Sequence, residues 1–561
     1  MNVIARKTKR IGSKISRKVQ GQLDVVARQQ KKKRSIRRLR ENNVRSDLML
    51  LPAGGEQILF RVSDKLNLST VHEKSRTAVA DILDEEGMLF WEFPTKTRSA
   101  SVLHTMDCNA GRLLSVLRGR PELSHWYFQL MDQDGKAAAG PRLLREFNSL
   151  GRYSAIRIYE RVAYNSTSSF RSGSAQGVQI HFWNETQFHS NEQLVDNELE
   201  SVGSPDIIVA PVWNENATLL PNPVTRKNEF TRAVEKARLP LSTQIDFEID
   251  AVYTWVDGAD SIWQAQKASA LHVLDEEQFV DDAVSDARFA DHDELRYSLR
   301  SIDQFAPWIR KIWIVTAGQT PSWLDTSNPR VEIVSHHDIW PDETGLPNFN
   351  SHAIESNLHR IKGLADHYLY FNDDFFLTRP LDPSAFFFGN GVSKVFFSRA
   401  MVEFTDVSVL DNASTVAAKN ARTLLESKGY QLFSRKFFHT PSAISRKIVE
   451  KAEAEFPEAF EITRSAQFRD TTDIAVSGSF YFNYSLAKGN AVPGQIKYDY
   501  IDPATNDGQS RMKSLIRRRD KDCIVINDGS TPETDNERVK TDRFIRKSLD
   551  LLLPAKSEFE L

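Results

Sequence analysis

Cysteine is scarce in this sequence: Cys108 and Cys523 are the two cysteines among 561 residues. Two cysteines in a chain of this size cannot form a disulfide framework, which favours a protein kept in a reducing compartment. Neither cysteine belongs to a cluster with metal-ligand spacing. We therefore expect neither of them to bind a metal.

Long apolar runs are missing as well. No stretch approaches the roughly eighteen apolar residues that a transmembrane helix requires, and the basic N-terminus is not followed by the apolar segment of a secretory signal. We therefore expect a cytoplasmic protein. Asn-x-Ser/Thr triplets, as at Asn165, Asn184 and Asn216, are then interpreted as chance matches rather than glycosylation sites.

Positive charge is concentrated in residues 1–45, which carry sixteen Lys and Arg but only Asp24 and Glu41 as acids. We expect this basic arm, residues 1–48, to be solvated and either loosely helical or disordered. Its cations could contact nucleic acid, an anionic membrane or an acidic partner. We favour the membrane, because each Lys or Arg gains about 1 kcal/mol near an anionic surface. No later segment resembles a nucleic-acid-binding module, so we expect no nucleic-acid partner.

Short alternating segments fill residues 49–220 and predict a β-rich accessory domain. The predicted strands are 57–62, 126–131, 155–159, 178–183 and 206–210, and the predicted helices lie near 71–85 and 109–118. No group of residues in this region indicates a chemical reaction. The proline-containing residues 221–246 are expected to be a connector.

Longer apolar strands begin at Ile249 and predict a third region, residues 247–561. Strands at 249–256, 311–316 and 331–334 alternate with helices that start at Glu294 and near His352, which implies a parallel sheet. The first strand ends at Asp257 before a glycine turn. An α/β sheet commonly places a ligand group at its carboxyl edge in this way.

The most informative stretch is Asn372-Asp373-Asp374, which interrupts the apolar residues 367–377. Two adjacent carboxylates at the end of a buried strand can hold Mg²⁺, which prefers oxygen ligands and substrate phosphates. The alternative is that the two aspartates merely start a surface turn, since Asn and Asp favour turns. The stretch by itself leaves both interpretations open.

Two helix beginnings offer further candidates for binding phosphate. Arg296 and Arg300 lie four residues apart on one helix, and they belong either to a solvated face or to a phosphate site, because Arg binds phosphate in a bidentate way. Ser351 is a predicted N-cap of a helix running from His352 to Leu364. The free amides of that first turn could bind an anionic substrate group.

Four blocks of sequence occur in a fixed order, at 249–260, 294–380, 438–470 and 523–528, with Phe544 and residues 557–560 following the last. This order resembles the four blocks of the Stealth proteins, which are sugar-1-phosphate transferases. Within that family the chain looks most like the actinobacterial exopolysaccharide phosphotransferases. The resemblance covers residues 249–561 and leaves residues 1–220 unassigned.

The resemblance implies a Rossmann-like, glycosyltransferase-A-type core that acts on a UDP-sugar with Mg²⁺ or Mn²⁺. Such an enzyme cleaves the donor between its two phosphates and moves the sugar-1-phosphate to a glycan hydroxyl, releasing UMP. The diphosphate charge then needs a metal and cationic groups, and the incoming hydroxyl needs a base. The anomeric bond of the sugar is not touched.

The resemblance also implies roles for individual residues. Asp373 and Asp374 are the metal candidates, Asp257 contacts donor or metal, and Arg469 and Arg300 neutralise phosphate charge. His439 is the candidate general base because imidazole titrates near neutral pH; the alternative is a structural histidine. Two further pairs complete the set: Asn350 and Ser351, which would orient donor or acceptor, and Asn527 and Asp528, which would close the site or complete the metal shell.

Two other functions remain open at this point. An ordinary metal-dependent glycosyltransferase would use the same carboxylates to attack the anomeric carbon and would release UDP. A non-enzymatic scaffold would use the basic arm to hold a glycan-binding domain at the membrane. The sequence does not indicate which sugar is carried, which hydroxyl accepts it, or whether the product is a polymer.

Overall fold

The structure is a computed structural model, and it describes residues 46–93, 101–138, 140–185, 207–212, 215–241, 243–272, 292–408, 410–431, 433–527 and 534–561. The predicted basic arm at 1–45 and the predicted site residue Asp528 lie outside these ranges. Within them, no helix combines the length and the apolar character that crossing a membrane would require.

Short strands dominate the N-terminal part of the described chain. They are β1 (Leu48–Ala53), β2 (Glu56–Ser63), β3 (Phe90–Glu92), β4 (Ser101–Met106), β5 (Tyr127–Met131), β6 (Arg142–Leu143), β7 (Ala155–Tyr159), β8 (Val162–Tyr164), β9 (Val178–Glu185), β10 (Ile207–Val209) and β11 (Leu219–Pro221). The helices are α1 (Leu68–Glu85), α2 (Ala110–Gly119) and α3 (Lys227–Ala237). The strands and the two helices predicted within 49–220 are confirmed, with small shifts at their ends.

Eight of these strands form one sheet in the described part of the chain. Its order is β11-β10-β9-β7-β5-β6, with β4 beside β9 and β3 beside β4. Helices α1 and α2 cover one face, where Leu83 and Leu113 are buried in a cluster with Ile156 and Ile180. The strands β1, β2 and β8 form a separate sheet. The expected β-rich N-terminal region is therefore confirmed.

Strands and helices alternate in the rest of the chain. The strands are β12 (Ile249–Thr254), β13 (Ile312–Thr316), β14 (Val331–Ser335), β15 (His367–Asn372), β16 (Phe375–Leu377), β17 (Ser393–Val395), β18 (Phe397–Met401), β19 (Arg435–Phe437), β20 (Ser442–Ser445), β21 (Ala491–Pro493), β22 (Tyr498–Ile501) and β23 (Cys523–Ile526). The helices are α4 (Ser261–Leu271), α5 (Glu294–Phe305), α6 (His336–Ile339), α7 (Ser351–Glu355), α8 (Ala413–Ser427), α9 (Arg446–Glu455), α10 (Pro457–Ser465), α11 (Ser479–Ala487), α12 (Asn506–Arg518) and α13 (Asp535–Leu552).

A central sheet organises this region, with the strand order β14-β13-β12-β15-β20. The first four strands are parallel and β20 is antiparallel. Counted along the chain, the parallel strands stand in the order three, two, one, four, which is the Rossmann arrangement. The expected Rossmann-like α/β core is therefore confirmed. The strand order reverses between β12 and β15, and ligands of such sheets bind in the crevice at that reversal.

A small second sheet brings the end of the chain back to the crevice. Strand β16 pairs antiparallel with β23, and β22 pairs parallel with β23. Phe375 is opposite Val525 in this pairing, and the backbone N–H of Ile526 donates to the carbonyl of Asp374 at 3.3 Å. Asn527 consequently lies beside the carboxylate pair although it is distant in sequence.

The N-terminal region packs directly on the Rossmann-like core. Leu66, Leu68 and Phe170 belong to the same buried cluster as Ile302 and Phe305 of α5. Helix α3 lies inside the predicted connector 221–246, and its Phe230 and Val234 are buried with Trp91 and Trp183 of the N-terminal sheet. The domain boundaries at 48, 220 and 246 stay predictions.

Candidate active site

The candidate active site lies where β12 and β15 end side by side. We call this place, with Asp257 and the Asp373-Asp374 pair at its edge, the crevice. Thr254 is the register partner of Asn372 in this parallel pair, so Asp257 and the Asp373-Asp374 pair follow neighbouring strand ends. Both segments leave the sheet at the reversal of strand order. The predicted carboxyl-edge position of these aspartates agrees with the topology.

Asp374 is a half-buried carboxylate with one buried oxygen that lacks a partner among the described residues. Among the described residues its Oδ1 has neither solvent contact nor a hydrogen-bond partner, and its Oδ2 has the Asn527 Nδ2 at 3.5 Å. Desolvation, together with the negative charge of Asp373, raises the pKa of Asp374 well above its usual range. A bound cation would remove this penalty, because an opposite charge favours the ionised carboxylate.

The donor set around Asp374 fits a hard divalent cation. Carboxylate and amide oxygens from Asp373, Asp374 and Asn527 are of the kind that Mg²⁺ prefers. In the described ranges, no group of three or more His, Cys, Asp and Glu side chains is arranged to hold a metal. These residues therefore supply part of a coordination shell at most, which suits Mg²⁺ because it usually keeps waters and substrate phosphates as ligands.

Asp257 is held by the side chain of Gln319. The Gln319 Oε1 accepts from the Asp257 backbone N–H at 3.0 Å, and its Nε2 donates to the Asp257 carbonyl at 3.0 Å and to Asp260 Oδ2 at 2.9 Å. Asp260 in turn caps α4 by accepting from the Ile262 N–H. The loop that carries Asp257 is thus fixed at both ends of its turn.

His439 lies beside Asn372 and Phe375, the residues that flank the carboxylate pair in sequence. Its Nε2 lies 3.1 Å from Asn372 Nδ2, and its ring packs edge-on against Phe375 with 4.6 Å between centroids. His439 is exposed, although the protein around its ring still desolvates the imidazole. This desolvation and the positive charge of Arg469 lower the pKa of His439 to about 4. The imidazole is therefore neutral at pH 7 and able to accept a proton.

Arg469 lies on a loop that is tied to the beginning of α7. Its Nη2 donates to Ser351 Oγ at 2.9 Å. Asn350 holds the loop through hydrogen bonds from its Nδ2 to Asp473 Oδ2 at 2.8 Å and to the Phe468 carbonyl at 3.1 Å. The two segments form one wall of the crevice, with the Arg469 guanidinium beside Ser351.

Two predictions about this wall need correction. The N-cap of α7 is Asn350, whose Oδ1 accepts from the His352 N–H at 3.0 Å, and Ser351 is the first helical residue. Asn350 is fully buried and hydrogen-bonds to other segments of the protein; a role in orienting donor or acceptor stays a prediction. The helix ends at Glu355 instead of Leu364, and a single 3₁₀ turn follows at Leu358–Arg360.

Glu355, which the sequence did not suggest, lies at the end of this short helix. Its Oε1 accepts from the Tyr370 hydroxyl at 3.3 Å, and that hydroxyl lies 3.0 Å from Thr254 Oγ1 of β12. Burial raises the pKa of Glu355, while the charges of His352 and Arg469 lower it. The sequence did contain a signal for Glu355: it lies four residues after Ser351, and residues four apart share one face of a helix.

The arginines of α5 have other partners. Arg300 Nε and Nη2 each donate to the Glu560 carboxylate at 2.7 Å, and Nη1 donates to the Leu553 carbonyl at 3.1 Å. In the structure Arg300 therefore anchors the C-terminal segment, and its role as a phosphate ligand stays a prediction. Arg296 pairs with Asp293 at 3.0 Å and lies over Trp323 at 5.1 Å. A substrate-binding role for Arg296 stays a prediction.

Comparisons with known proteins bear on the same residues. Three family profiles match the chain: Stealth protein CR1, conserved region 1, at residues 247–272, CR2, conserved region 2, at 288–395, and CR3, conserved region 3, at 438–485. The exopolysaccharide phosphotransferase CpsY of Mycobacterium tuberculosis is 35% identical over 388 residues, which cover 67% of this chain and 68% of CpsY. The chain belongs to the Stealth family. The resemblance inferred from the sequence is confirmed.

Other Stealth relatives and solved structures extend the comparison. An exopolysaccharide phosphotransferase of Streptomyces coelicolor is 34% identical over 527 residues, covering 92% of this chain and 53% of that protein. The chain spans about half the length of the Streptomyces relatives that it matches. The galactosyltransferase LgtC has 11% identity and a TM-score of 0.28, covering 53% of this chain and 95% of LgtC. The bifunctional glycosyltransferase WbbM has 11% identity and a TM-score of 0.29, covering 55% of this chain and 50% of that chain; at these scores neither structure supports an inference.

The three matched Stealth regions meet at the crevice. CR1 contains β12 and Asp257, CR2 contains Glu355 and the Asp373-Asp374 pair, and CR3 contains His439 and Arg469. The fourth predicted block contributes Asn527 beside Asp374, and its Asp528 lies outside the described residues. Residues from all three matched regions therefore contribute to the candidate site at the crevice.

Proposed function

We propose that this protein transfers a hexose-1-phosphate from a UDP-sugar to a hydroxyl of a growing or acceptor glycan, releasing UMP, in exopolysaccharide synthesis. Its relatives carry the name exopolysaccharide phosphotransferase. The observation that carries the proposal is the crevice, where an uncompensated carboxylate, Asp374, lies with a neutral imidazole, His439, near the charge of Arg469. Phosphoryl transfer needs these three kinds of group.

Asp373 and Asp374 are the residues that would hold Mg²⁺ or Mn²⁺, with Asn527 beside them. When bound, the cation would neutralise charge on the donor diphosphate. The unpartnered Oδ1 of Asp374 supports this role, since a buried carboxylate without a counter-charge costs folding free energy. Asp257 is proposed to contact the donor at the neighbouring strand end.

His439 is proposed to take the proton from the acceptor hydroxyl. Its lowered pKa keeps it neutral at the working pH, and Asn372 and Phe375 hold its ring. Arg469 would balance charge on the transferred phosphate, with Ser351 and Glu355 positioning the guanidinium. Because the hydroxyl attacks phosphorus, the configuration at the anomeric carbon is retained.

The test is the identity of the nucleotide product. The full chain is incubated with Mg²⁺, a panel of UDP-hexoses and an oligosaccharide acceptor, and the products are separated by anion-exchange chromatography. We expect UMP together with a phosphodiester-containing glycan. Release of UDP without UMP would overturn the proposal in favour of an ordinary glycosyltransferase. Absence of any nucleotide product with every donor would favour a glycan-binding scaffold.

The proposal also covers the domain organisation of the chain and its location in the cell. We propose a basic arm at 1–48, an accessory domain at 49–220, a connector at 221–246 and a catalytic domain at 247–561, with the protein at the cytoplasmic face of the membrane. The sixteen cations of residues 1–45 support peripheral contact with anionic lipid. Deleting residues 1–45 should abolish salt-sensitive sedimentation with anionic liposomes, and unchanged sedimentation would refute the membrane role.

A further inference from the structure

A row of polar side chains crosses the second face of the N-terminal sheet. Gln129 of β5 is the register partner of Arg157 of β7, and Arg157 is the partner of Gln179 of β9. The three side chains therefore stand side by side on one face. We call these three residues the polar row; with strands about 4.8 Å apart, it is about 10 Å long.

The polar row is open to solvent between two buried rows. Gln129, Arg157 and Gln179 are each half-buried, whereas the adjoining residues of the same strands on this face are buried. On one side these are Met131, Ala155 and His181, and on the other Tyr127 and Tyr159. A sheet face that merely met solvent would expose neighbouring rows alike.

The two walls of this trough come from different elements. Leu48 of β1 and Leu59 of β2 are buried against Tyr127 and Tyr159, and the Leu59 N–H donates to the Tyr127 hydroxyl at 3.1 Å. On the other side, Val212 is buried against Met131 and Ala155. The polar row is thus the floor of a narrow trough. The wall at Val212 is apolar, and the wall at Tyr127 and Tyr159 also carries the Arg161 guanidinium, which lies 4.7 Å from the Tyr127 ring centroid.

The trough carries a positive charge with no counter-ion. Within the described part of the chain, the Arg157 guanidinium has no hydrogen bond and no ion pair, and desolvation lowers its pKa. Beside it, the Gln129 Oε1 and the His181 Nδ1 are buried and have no hydrogen-bond partner among the residues that the structure describes, and the His181 Nε2 lies 3.2 Å from Gln179 Oε1. No carboxylate is part of the row.

These groups match one kind of ligand. An unpaired guanidinium binds a phosphate or carboxylate in a bidentate way, and Gln amides exchange hydrogen bonds with hydroxyls. A neutral sugar would leave the charge unpaired, and a cation would be repelled by it. A ligand that spans the three strands therefore needs an anionic group for Arg157 and hydroxyl groups for Gln129 and Gln179.

We propose that the trough binds a segment of anionic glycan, with a phosphodiester of the glycan on Arg157 and sugar hydroxyls on Gln129 and Gln179. The choice of a phosphodiester-linked glycan rests on the proposed function. The trough would hold the acceptor chain at a distance from the crevice, so that long acceptors bind more tightly than short ones.

Isothermal titration of the full chain with a phosphodiester-linked hexose oligosaccharide tests this inference. Arg157→Gln should weaken binding at least tenfold, and Arg157→Lys should weaken it less because the charge remains. Gln129→Ala and Gln179→Ala should each weaken it two- to fivefold, so the test does not depend on one variant folding. The matched control is Arg118→Gln on α2, which covers the opposite face; it should change binding less than twofold.

Two results would overturn the inference: unchanged binding in Arg157→Gln, or equal binding of a neutral oligosaccharide of the same sugars. Binding needs no turnover, so it is measured separately from catalysis. Transfer to a monosaccharide acceptor should be unaffected by Arg157→Gln, while KM for the long acceptor should rise. Normal transfer without glycan binding would refute the trough alone, and glycan binding without sugar-phosphate transfer would refute the proposed function alone.

Discussion

Two aspartates at opposite edges of the central sheet, Asp250 and Asp374, show how differently the protein treats the same side chain. Asp250 lies near the start of β12 and is fully buried. Arg310 donates to both its oxygens at 2.8 and 2.7 Å, and the Trp313 Nε1 and the Ala365 N–H donate to Oδ2 at 2.9 Å each. Its charge and its lone pairs are therefore compensated within the protein.

Asp374 follows the carboxyl end of β15 and lacks such compensation. One of its oxygens has no partner among the described residues, and its pKa is raised by desolvation and by Asp373. The comparison shows that the carboxylate at the amino edge of the sheet stabilises the fold, whereas the carboxylate at the carboxyl edge lacks a compensating positive charge among the described residues. Uncompensated carboxylates with shifted pKa values of this kind indicate candidate functional sites.

The largest expected effect is on folding, at the compensated edge. Asp250→Ala should lower the free energy of unfolding by about 3–5 kcal/mol, because it removes the bidentate partner of Arg310 and leaves the buried Trp313 Nε1 and Ala365 N–H donors unpaired. The measurement is chemical denaturation followed by circular dichroism. Glu332→Ala, which removes the exposed partner of Lys311, is the control and should cost less than about 1 kcal/mol. Equal losses in both variants would contradict the comparison.

The second effect is on activity, at the uncompensated edge. Asp374→Asn should lower kcat/KM about 10³-fold, which is about 4 kcal/mol of transition-state stabilisation. It should not lower the free energy of unfolding in the absence of metal, because ionised Asp374 is itself unfavourable there. Steady-state UMP release and denaturation are measured on the same preparation. Asp134→Asn in an exposed turn should keep full activity, and destabilisation by Asp374→Asn would break the contrast with Asp250.

The third effect separates proton transfer from structure at His439. His439→Gln should lower kcat about 10²-fold, near 3 kcal/mol, if the imidazole accepts the proton. Gln retains a polar group next to Asn372, so the free energy of unfolding should change little. The measurement is kcat at saturating donor and acceptor. A variant with normal kcat would assign His439 to a structural role.

The smallest effect concerns Asp303 of α5, a buried carboxylate that accepts from the neutral Asn67 Nδ2 at 3.0 Å. Desolvation and the charge of Glu558 raise the pKa of Asp303 to about 6. The folded state therefore binds more protons than the unfolded state between about pH 4 and 6, and stability falls as pH rises through this window.

Asp303→Asn should consequently be more stable than the parent protein at pH 8 by about 2 kcal/mol, and equal to it near pH 4. Denaturation curves at both pH values measure the difference. Asn at this position still accepts from Asn67, so the contact between α5 and the N-terminal region remains. A difference independent of pH would mean that Asp303 is ionised at both values.

Much of the fold could be predicted from local patterns. The apolar segments ending at Asp257 and at Asn372 were long enough to identify as buried strands, and their alternation with helices predicted the parallel sheet. The helix from His352 was predicted too long, because apolar spacing continued beyond Glu355. In the structure, the chain turns after Glu355 so that the strand carrying Asp373 can begin at His367.

The candidate site was only partly predictable. Asp257, Asp374 and His439 could be proposed because each follows an apolar segment or resembles a family block. Glu355 was missed because its position at the crevice depends on where α7 ends. The hydrogen bonds of Asn350 could not be predicted, because their acceptors on Asp473 and Phe468 are more than a hundred residues away.

The sequence by itself determined the strands, the adjacent carboxylates and the family, because these depend on neighbouring residues and on their order along the chain. Only the tertiary structure decided which charges are compensated. Arg300 donates to Glu560 at 2.7 Å although the two are 260 positions apart, whereas within the described ranges Asp374 Oδ1 has no hydrogen-bond partner. Burial and partners are set by packing between distant segments. One aspartate, Asp250, is therefore compensated by the protein, whereas another, Asp374, becomes a candidate metal ligand.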